Sequence, residues 1–245
     1  MSIARNSTRI IKTQFRTTTT TIFARPVTVL NHKRTFTHTP FKMTGSVSDV
    51  SPQDDPSVTK QYDSTTPADK QISDFFSIAD GLKTCLLTTQ RKGLGPVSRS
   101  MAVAKRDGPD FFFLTNKNSR KFEDLSADKT IQLTFQDSSS QNWASVTGKA
   151  VTTSNDDPRI KELINPFASA WFGDLGDGVH NGKAEDPRVS LIEVKAEYIT
   201  YWQSTSSSLG FLKEIAEAAL TGRVASTGVT RELKTAEIEQ ARKQK

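Results

Sequence analysis

Cysteine and histidine are scarce in this chain of 245 residues, and their scarcity excludes several kinds of site. Cys85 is the only cysteine, so the sequence supports neither a disulfide framework nor a cluster of thiolate metal ligands. Of the three histidines, His32 and His38 lie near the N-terminus, which leaves His180 for the remainder. This supply argues against a zinc site and against a Ser-His-Asp triad. We predict no metal site, and any catalysis is expected to rest on a bound cofactor.

Acidic residues are absent from residues 1–48, which contain eight basic residues. The whole chain carries a net charge of +6, and subtracting the +8 of this segment leaves −2 for residues 49–245. A nucleic-acid-binding domain needs its Lys and Arg on the folded part of the chain, where they neutralise phosphates. No nucleic-acid partner is therefore expected.

Residues 1–43 have the composition of a mitochondrial targeting leader, since they are rich in Arg and Thr and free of acids. A helix over residues 3–16 would place four basic side chains on one face and four apolar ones on the other. We expect a location in the mitochondrial matrix. A start at Met43 would instead give a cytoplasmic form, and a disordered basic tail is the alternative interpretation of residues 1–43.

Residues 44–65 are predicted to be a disordered linker. No apolar run is long enough to span a bilayer, so no membrane partner is expected.

Beyond the linker, the sequence predicts a helix followed by strands. Thr66, Pro67 and Asp69 form a helix start, and Gly81 is the predicted end. The apolar period then changes to two. Six strands are predicted, at residues 83–90, 97–105, 110–115, 130–136, 143–153 and 189–202. Short turns between successive strands indicate antiparallel pairing, and the need to cover the sheet edges favours a small barrel.

Short helices are predicted between the strands. Residues 121–128 form one, and Asp157 and Asn165 are predicted N-caps of two more. In the helix after Asn165, Phe167 and Trp171 are predicted to be buried.

The C-terminal part of the sequence is predicted to be helical. Residues 211–220 form a helix ended by Gly222, and the charged segment from about Thr235 forms another with a solvated face. The domain is predicted to span residues 66–222, followed by a charged tail at 223–245.

The stretch FFFLTNKNSRKFEDL, residues 111–125, runs from a predicted strand through a basic turn into a helix. It brings the hydroxyls of Thr115 and Ser119 close to Arg120 and Lys121. Free amide groups at the helix N-terminus also favour an anion at this place. An exposed basic turn is the simpler interpretation of this stretch alone, and a phosphate site is the functional one.

Arg99 adds a third cation if the neighbouring strands pair as a hairpin. A hairpin around Asp107 and Gly108 would place Arg99 near the loop end of the strand at 110–115. This convergence strengthens the phosphate hypothesis.

Four motifs then occur in a fixed order: SRSMAVAKRDGPDFFFLTNKNSRKFEDLSADKTIQLTF, GKAVTT, NPFASAWF and DPRVSLIEVKAEYITYW. Together they resemble the FMN-binding split-barrel proteins related to pyridoxamine 5'-phosphate oxidase, and among these the general stress protein subgroup. The resemblance covers residues 66–222. It implies a mainly β, α+β fold, namely a six-stranded antiparallel split β-barrel of Greek-key type with peripheral helices.

The resemblance also implies a set of cofactor-binding residues. The phosphate of FMN would be held by Arg99, Ser119, Arg120 and Lys121. The ribityl chain and isoalloxazine would be lined by Ser100, Met101, Leu114 and Thr115. Trp143 stands where the oxidases place a glutamine that contacts the cofactor, and Ala104 replaces one of their lysines. Relatives form homodimers with FMN at the interface, so Trp171 and Trp202 are expected either at such an interface or in the core.

The implied function is that of an FMN-binding flavoprotein that moves electrons or hydride to or from a small molecule. No catalytic residue is identified, so a non-catalytic protein that stores or senses FMN is the alternative. A third interpretation is an interaction module whose pocket is filled by Trp143. Oxidation of pyridoxamine phosphate is disfavoured, because no Arg and His motif of the kind found in the oxidases follows Trp202.

Overall fold

The computed structural model describes residues 55–59 and 61–244. The predicted leader, residues 1–43, and most of the predicted linker lie outside the described residues. No helix in the described part of the chain is both long and apolar enough to cross a membrane.

Eight strands and seven helices make up the described structure. The strands are β1 (Thr84–Arg91), β2 (Gly95–Ala102), β3 (Lys105–Asp107), β4 (Asp110–Asn116), β5 (Thr130–Gln136), β6 (Trp143–Thr152), β7 (Val189–Ser204) and β8 (Gly228–Leu233). The helices are α1 (Pro56–Thr59), α2 (Ala68–Leu82), α3 (Arg120–Ala127), α4 (Arg159–Leu163), α5 (Pro166–Ala170), α6 (Ser208–Thr221) and α7 (Thr235–Lys243).

The strands form one antiparallel sheet in the order β2-β1-β5-β6-β7-β4-β3, with β8 paired to β7. The α+β class and antiparallel pairing are confirmed, but the sheet has eight strands rather than six and is open. The predicted strand at 97–105 is divided between β2 and β3, which lie at opposite ends of the pairing order. The division falls where Val103 N donates to Lys83 O and Ala104 N donates to Phe112 O. The chain thus changes its hydrogen-bonding partner from the β1 side to β4 at this point.

The main core lies between one face of the sheet and α2. Ile72, Phe75 and Ala79 of α2 are buried against it, as their helical spacing predicts. The helix does not end at Gly81 as predicted. It continues one residue further and is terminated by Lys83, which has a left-handed backbone with φ of 50°.

The last strand and helix belong to the fold rather than to a separate tail. Leu233 of β8 lies opposite Ile199 of β7, and Ile238 and Ala241 of α7 are buried in the same core. The charged residues Glu239 and Lys243 of α7 are exposed, as the predicted solvated face requires, while this opposite face is buried. Its Arg242 also donates to the buried carboxylate of Asp110 at 3.0 Å.

Residues 61–66, of which 61–65 were predicted to be the end of a disordered linker, pack along β8. Thr230 N donates to Gln61 O, and Asp63 N donates to Thr230 O at 3.0 Å. Arg231 then pairs with the carboxylates of Asp63, at 2.9 Å, and Asp74, at 2.7 Å. This segment therefore covers the outer edge of β8, which would otherwise be open to pairing with another chain.

A second, smaller core lies on the opposite face of β4 and β7. Phe112, Ile160 and Leu191 are buried there, with Phe172 packed against them. Arg188 joins this region to the loop after β4. Its guanidinium donates to the carbonyls of Phe172 and Gly173, while its own carbonyl accepts from Lys117 N at 2.9 Å. The end of α5 is therefore close to the basic turn.

Candidate functional site

The candidate site lies where β4 ends and α3 begins. Ser119 has an extended backbone and precedes the first turn of α3, but its hydroxyl donates to Asn116 O at 2.7 Å. No side-chain cap occupies the amide groups of that turn. These donors and the positive end of the α3 dipole are therefore directed toward the loop, where they favour an anion.

Lys121 places its ammonium group within this loop. Its Nζ donates to the hydroxyls of Thr115, at 2.7 Å, and Ser119, at 2.8 Å. No carboxylate pairs with Lys121 in the part of the chain that the structure describes. Burial lowers the pKa of Lys121, and the nearby charge of Arg99 lowers it further. The site thus holds a partly desolvated cation whose hydrogen-bond partners are neutral hydroxyls.

The sequence analysis predicted the wrong strand pairing for Arg99. It lies opposite Leu87 of β1, and the strand that forms a hairpin with β4 is the short β3. From β2 its guanidinium donates to Thr89 Oγ1 at 2.7 Å and to Asp124 Oδ2 at 3.2 Å. Arg99 is nevertheless joined to α3, the helix that carries Lys121, through its bond to Asp124.

A buried carboxylate that the sequence analysis missed organises these cations. Asp124 of α3 has a side-chain exposure of 3% and accepts from Arg91 Nε at 2.9 Å. It also accepts from Thr89 Oγ1 at 2.7 Å and from Arg99. Hydrogen bonds from Arg91 are the main cause that lowers the pKa of Asp124 to about 2. Asp124 therefore stays ionised and fixes Arg91 and Arg99 on one side of α3.

We define the cationic cluster as Arg91, Arg99, Arg120 and Lys121. Two carboxylates lie on the same helix, the buried Asp124 and the exposed Glu123. Four positive and two negative charges give these six side chains a net charge of +2. This charge matches a phosphate dianion, which is the ligand that such donors bind best.

The other predicted site residues are divided between the two faces of the sheet. Met101 packs against the main core, whereas Leu114 packs against the second core on the opposite face. Ser100 is exposed on β2, and Arg120 is exposed in the first turn of α3. Thr115 is buried beside Lys121. The phosphate residues are therefore close together, while Ser100, Met101 and Leu114 lie on the strands that lead away from them.

Trp143 makes no hydrogen bond with the cationic cluster in the part of the chain that the structure describes. It lies opposite Trp202 near the C-terminal end of β7, whereas Thr115 lies opposite Ser190 at the N-terminal end. Across the other strands, Arg99 pairs with Leu87, and the row continues through Leu133 to Val146, three residues from Trp143. The register therefore places Trp143 nearer to Arg99 than to Thr115.

Phe167 and Trp171 are exposed, which corrects the prediction that they are buried. Asn165 does cap α5, since its Oδ1 accepts from Ala168 N at 3.0 Å. The two aromatic side chains nevertheless point away from the protein and are 86% and 88% exposed. Trp171 therefore does not serve the core, and the interface alternative for it stays a prediction.

No other chemistry competes with anion binding in the described residues. They contain no group of three or more His, Cys, Asp or Glu arranged to hold a metal ion. Cys85 is buried, and burial raises its pKa to about 12. His180 lies in an exposed loop against Asp177 at 2.6 Å.

The open antiparallel sheet, with helices packed on it and the cationic cluster at the start of α3, defines an α+β protein. The family model described as pyridoxamine 5'-phosphate oxidase like matches residues 70–225. This chain belongs to that family.

Individual relatives agree with this assignment. A Neurospora crassa protein named bli-3 is 37% identical over 188 residues, which cover 76% of this chain and 90% of that protein. The fold resembles a protein related to general stress protein 26 from Clostridium acetobutylicum, with a TM-score of 0.51 and 18% identity over 71% of this chain and 99% of that one. A putative general stress protein 26 from Jannaschia sp. gives a TM-score of 0.52 and 21% identity over 69% of this chain and 99% of that one.

Proposed function

We propose that this protein binds FMN through its phosphate at the cationic cluster and uses the flavin to move electrons or hydride. The observation that carries the proposal is Lys121, a partly buried ammonium group whose described partners are the hydroxyls of Thr115 and Ser119. A desolvated cation without a carboxylate partner is costly unless an anion binds to it. Membership in the pyridoxamine 5'-phosphate oxidase-like family supports a flavin as the source of that anion.

Different residues of the chain would contact different parts of FMN. Lys121 and Arg99 would neutralise the phosphate, and Ser119 with the α3 amides would donate hydrogen bonds to it. Ser100, Met101 and Leu114 lie on the strands along which the rest of the cofactor would extend. The bound flavin would supply the redox chemistry, and the protein would orient a substrate against it.

A titration of the full-length chain with FMN tests this proposal, with riboflavin as the ligand that lacks the phosphate. We expect FMN to bind much more tightly than riboflavin. Replacing Arg120 and Lys121 together by alanine should weaken FMN binding by about 100-fold or more, since each charge-assisted contact contributes about 1.5–3 kcal/mol. Lys161→Ala, at an exposed position of α4, is the matched control and should leave the affinity unchanged. Equal affinities for FMN and riboflavin would refute the phosphate site.

A non-catalytic FMN-binding protein is the second candidate, favoured because no catalytic acid or base is identified in the cationic cluster. Steady-state assays with NADH and NADPH separate the two functions. Turnover supports an oxidoreductase, and bound flavin without turnover supports storage or sensing. Oxidation of pyridoxamine 5'-phosphate at a useful rate would contradict our expectation that this reaction is not the function.

Homodimer formation and a mitochondrial location belong to the same proposal. The exposed Phe167 and Trp171 support a dimer, because large apolar side chains at such exposure indicate an interface.

The mitochondrial location is supported by the sequence of residues 1–43 alone. A fusion of residues 1–45 to a fluorescent protein should enter mitochondria, and a diffuse cytosolic signal would refute the targeting function.

A further inference from the structure

One hydroxyl beside the cationic cluster lies where an enzyme could reach it. Ser119 is partly exposed in the turn between β4 and α3, and the residues on both sides of it, Asn118 and Arg120, are exposed. Thr115 carries the other hydroxyl that bonds Lys121, but it is only 5% exposed. Of these two hydroxyls, only that of Ser119 is therefore accessible to a modifying enzyme.

Ser119 Oγ is already in contact with the partly buried cation of the cluster. Lys121 Nζ donates to this oxygen at 2.8 Å, and its other described partner is the neutral hydroxyl of Thr115. A phosphoryl group on Oγ would place its oxygens one bond beyond an atom that Lys121 contacts. Rotation of the Ser119 side chain would keep these oxygens within reach of Nζ, so the ammonium group would gain an anionic partner.

The charge of the surrounding side chains matches a covalent phosphate. The four cations of the cluster, together with Glu123 and Asp124, have a net charge of +2. A phosphoserine carries a charge of about −1.5 to −2 at pH 7, so the modification would neutralise nearly all of this excess. A second phosphate, brought by FMN, would then meet no excess positive charge and would be repelled by the first.

The sequence around Ser119 is basic enough to attract an acidic enzyme cleft. Lys117, Arg120 and Lys121 lie within two positions of it, and the nearest acidic residue along the chain is Glu123, four positions away. Electrostatic complementarity speeds the encounter of such a segment with an enzyme whose substrate cleft is acidic. The empty site therefore fits a protein kinase of this kind.

We propose that Ser119 is a phosphorylation site, and that its phosphoryl group occupies the cationic cluster in place of the phosphate of FMN. The kinase would transfer the γ-phosphoryl group of a nucleoside triphosphate. A bond forms between Oγ and phosphorus, the bond from phosphorus to the β,γ-bridging oxygen breaks, the nucleoside diphosphate leaves and the hydroxyl proton is released. This inference rests on the proposed function and adds a way to switch FMN binding off.

Full-length protein with phosphoserine incorporated at position 119 during translation tests the inference. The matched control has phosphoserine at position 126, which is exposed on the same helix and lies about 10 Å further along its axis. With phosphoserine at 119, FMN affinity should fall by about 100-fold or more, to the level of riboflavin, because the phosphate contacts are lost. The control should bind FMN nearly as well as the unmodified protein, since solvent and salt screen an exposed charge at that distance.

The ligand-free protein provides measurements that do not involve flavin. Phosphoserine at 119 should raise the melting temperature, because it pairs with Lys121 and adds negative charge at the N-terminal end of α3. This gain should shrink in the Lys121→Met variant, whereas phosphoserine at 126, near the C-terminal end, should give no gain. In phosphorus NMR, the group at 119 should titrate at lower pH than the group at 126, because the cations stabilise its dianion.

The two ways in which this test can fail are distinguishable. Equal FMN affinities of the unmodified protein and the protein with phosphoserine at 119 would overturn the inference and leave FMN binding intact. If the unmodified protein does not bind FMN, the proposed function fails. The melting and NMR comparisons then decide whether the phosphoryl group enters the cluster, and equal values for positions 119 and 126 would overturn that placement.

The modification itself is checked by mass spectrometry of the chain purified from the cells that produce it naturally. Digestion with a protease that does not cut at Lys or Arg keeps Ser119 within a peptide of useful length. We expect a phosphorylated form of this peptide. A peptide that carries no phosphate in either growing or starved cells would overturn the assignment of Ser119 as a phosphorylation site.

Discussion

The lowered pKa of Lys121 predicts how FMN affinity depends on pH. In the free protein, burial and Arg99 hold this pKa below the ordinary 10.5 of a lysine. A bound phosphate dianion stabilises the ammonium form and raises the pKa again. Binding is therefore coupled to proton retention, and the affinity falls as the pH rises above the Lys121 pKa of the free site. In that range we expect the affinity to fall by up to about tenfold for each pH unit.

The ratio of FMN to riboflavin affinity isolates the effect of Lys121 titration on phosphate binding, because ionisation of the isoalloxazine ring is common to both ligands. Both are titrated by fluorescence between about pH 6 and pH 10. The ratio should also fall at the acidic end, where the phosphate loses its second charge near pH 6. The expected profile for the unmodified protein is thus a plateau with a fall on either side.

Two substitutions separate the charge of Lys121 from its shape. Lys121→Arg keeps a charge that does not titrate in this range, so the fall at high pH should disappear. Lys121→Met should lower the plateau by about 10-fold to 150-fold, which corresponds to one charge-assisted contact of about 1.5–3 kcal/mol.

The same substitution has the opposite effect on the ligand-free protein. A lysine whose pKa is lowered by folding destabilises the fold at pH values where it is charged in both states, and this cost disappears as the pH rises toward 10.5. Lys121→Met should therefore raise the melting temperature at neutral pH while it lowers FMN affinity. A ratio that stays flat to pH 10, or a fall that persists in Lys121→Arg, would refute the reasoning.

Three further predictions concern the fold. Arg231→Met should destabilise the protein by about 3–5 kcal/mol in denaturant unfolding, because it leaves the poorly exposed Asp63 without its cation and removes one of the two cations that pair with Asp74, whereas Arg223→Met at the surface should cost at most about 1 kcal/mol. Equal losses would contradict this. Gly148→Ala should destabilise by at least about 1–3 kcal/mol, since its Cβ would overlap a backbone oxygen of β7, while Gly81→Ala, with open space inside α2, should stabilise by about 0.5–1 kcal/mol. Cys85 should resist thiol reagents at pH 8 until the protein is unfolded, and rapid labelling of the native protein would contradict its burial.

Regular patterns made much of the sheet predictable. The alternation in β5 gave its bounds, Thr130–Gln136, because one face of that strand is buried and the other is polar. β8 was missed because it is short and carries Arg231 and Glu232 at its centre. Its place in the sheet depends on β7 and on the segment at 61–66, which local sequence does not encode.

The candidate site was predictable only where its residues are close in sequence. Thr115, Ser119 and Lys121 lie within seven positions, and hydrogen bonds join them as expected. The position of Arg99 depended on strand pairing, and Asp124 was given no role beyond its place in the short helix predicted at 121–128. Its role follows from Arg91 and Thr89, which approach it across the sheet. Such a network cannot be read from periodicity.

Asp124 also affects charge repulsion in the protein before a ligand binds. Because this carboxylate pairs with Arg91 and Arg99 from inside the fold, it reduces the repulsion within the empty cluster, and the repulsion that remains falls on Lys121. Under the proposed function, folding and loading with FMN are therefore separate events, and the loaded fraction follows the free cofactor concentration through its dissociation constant. The proposal thus implies a chain that folds while empty and whose loaded fraction follows the flavin supply.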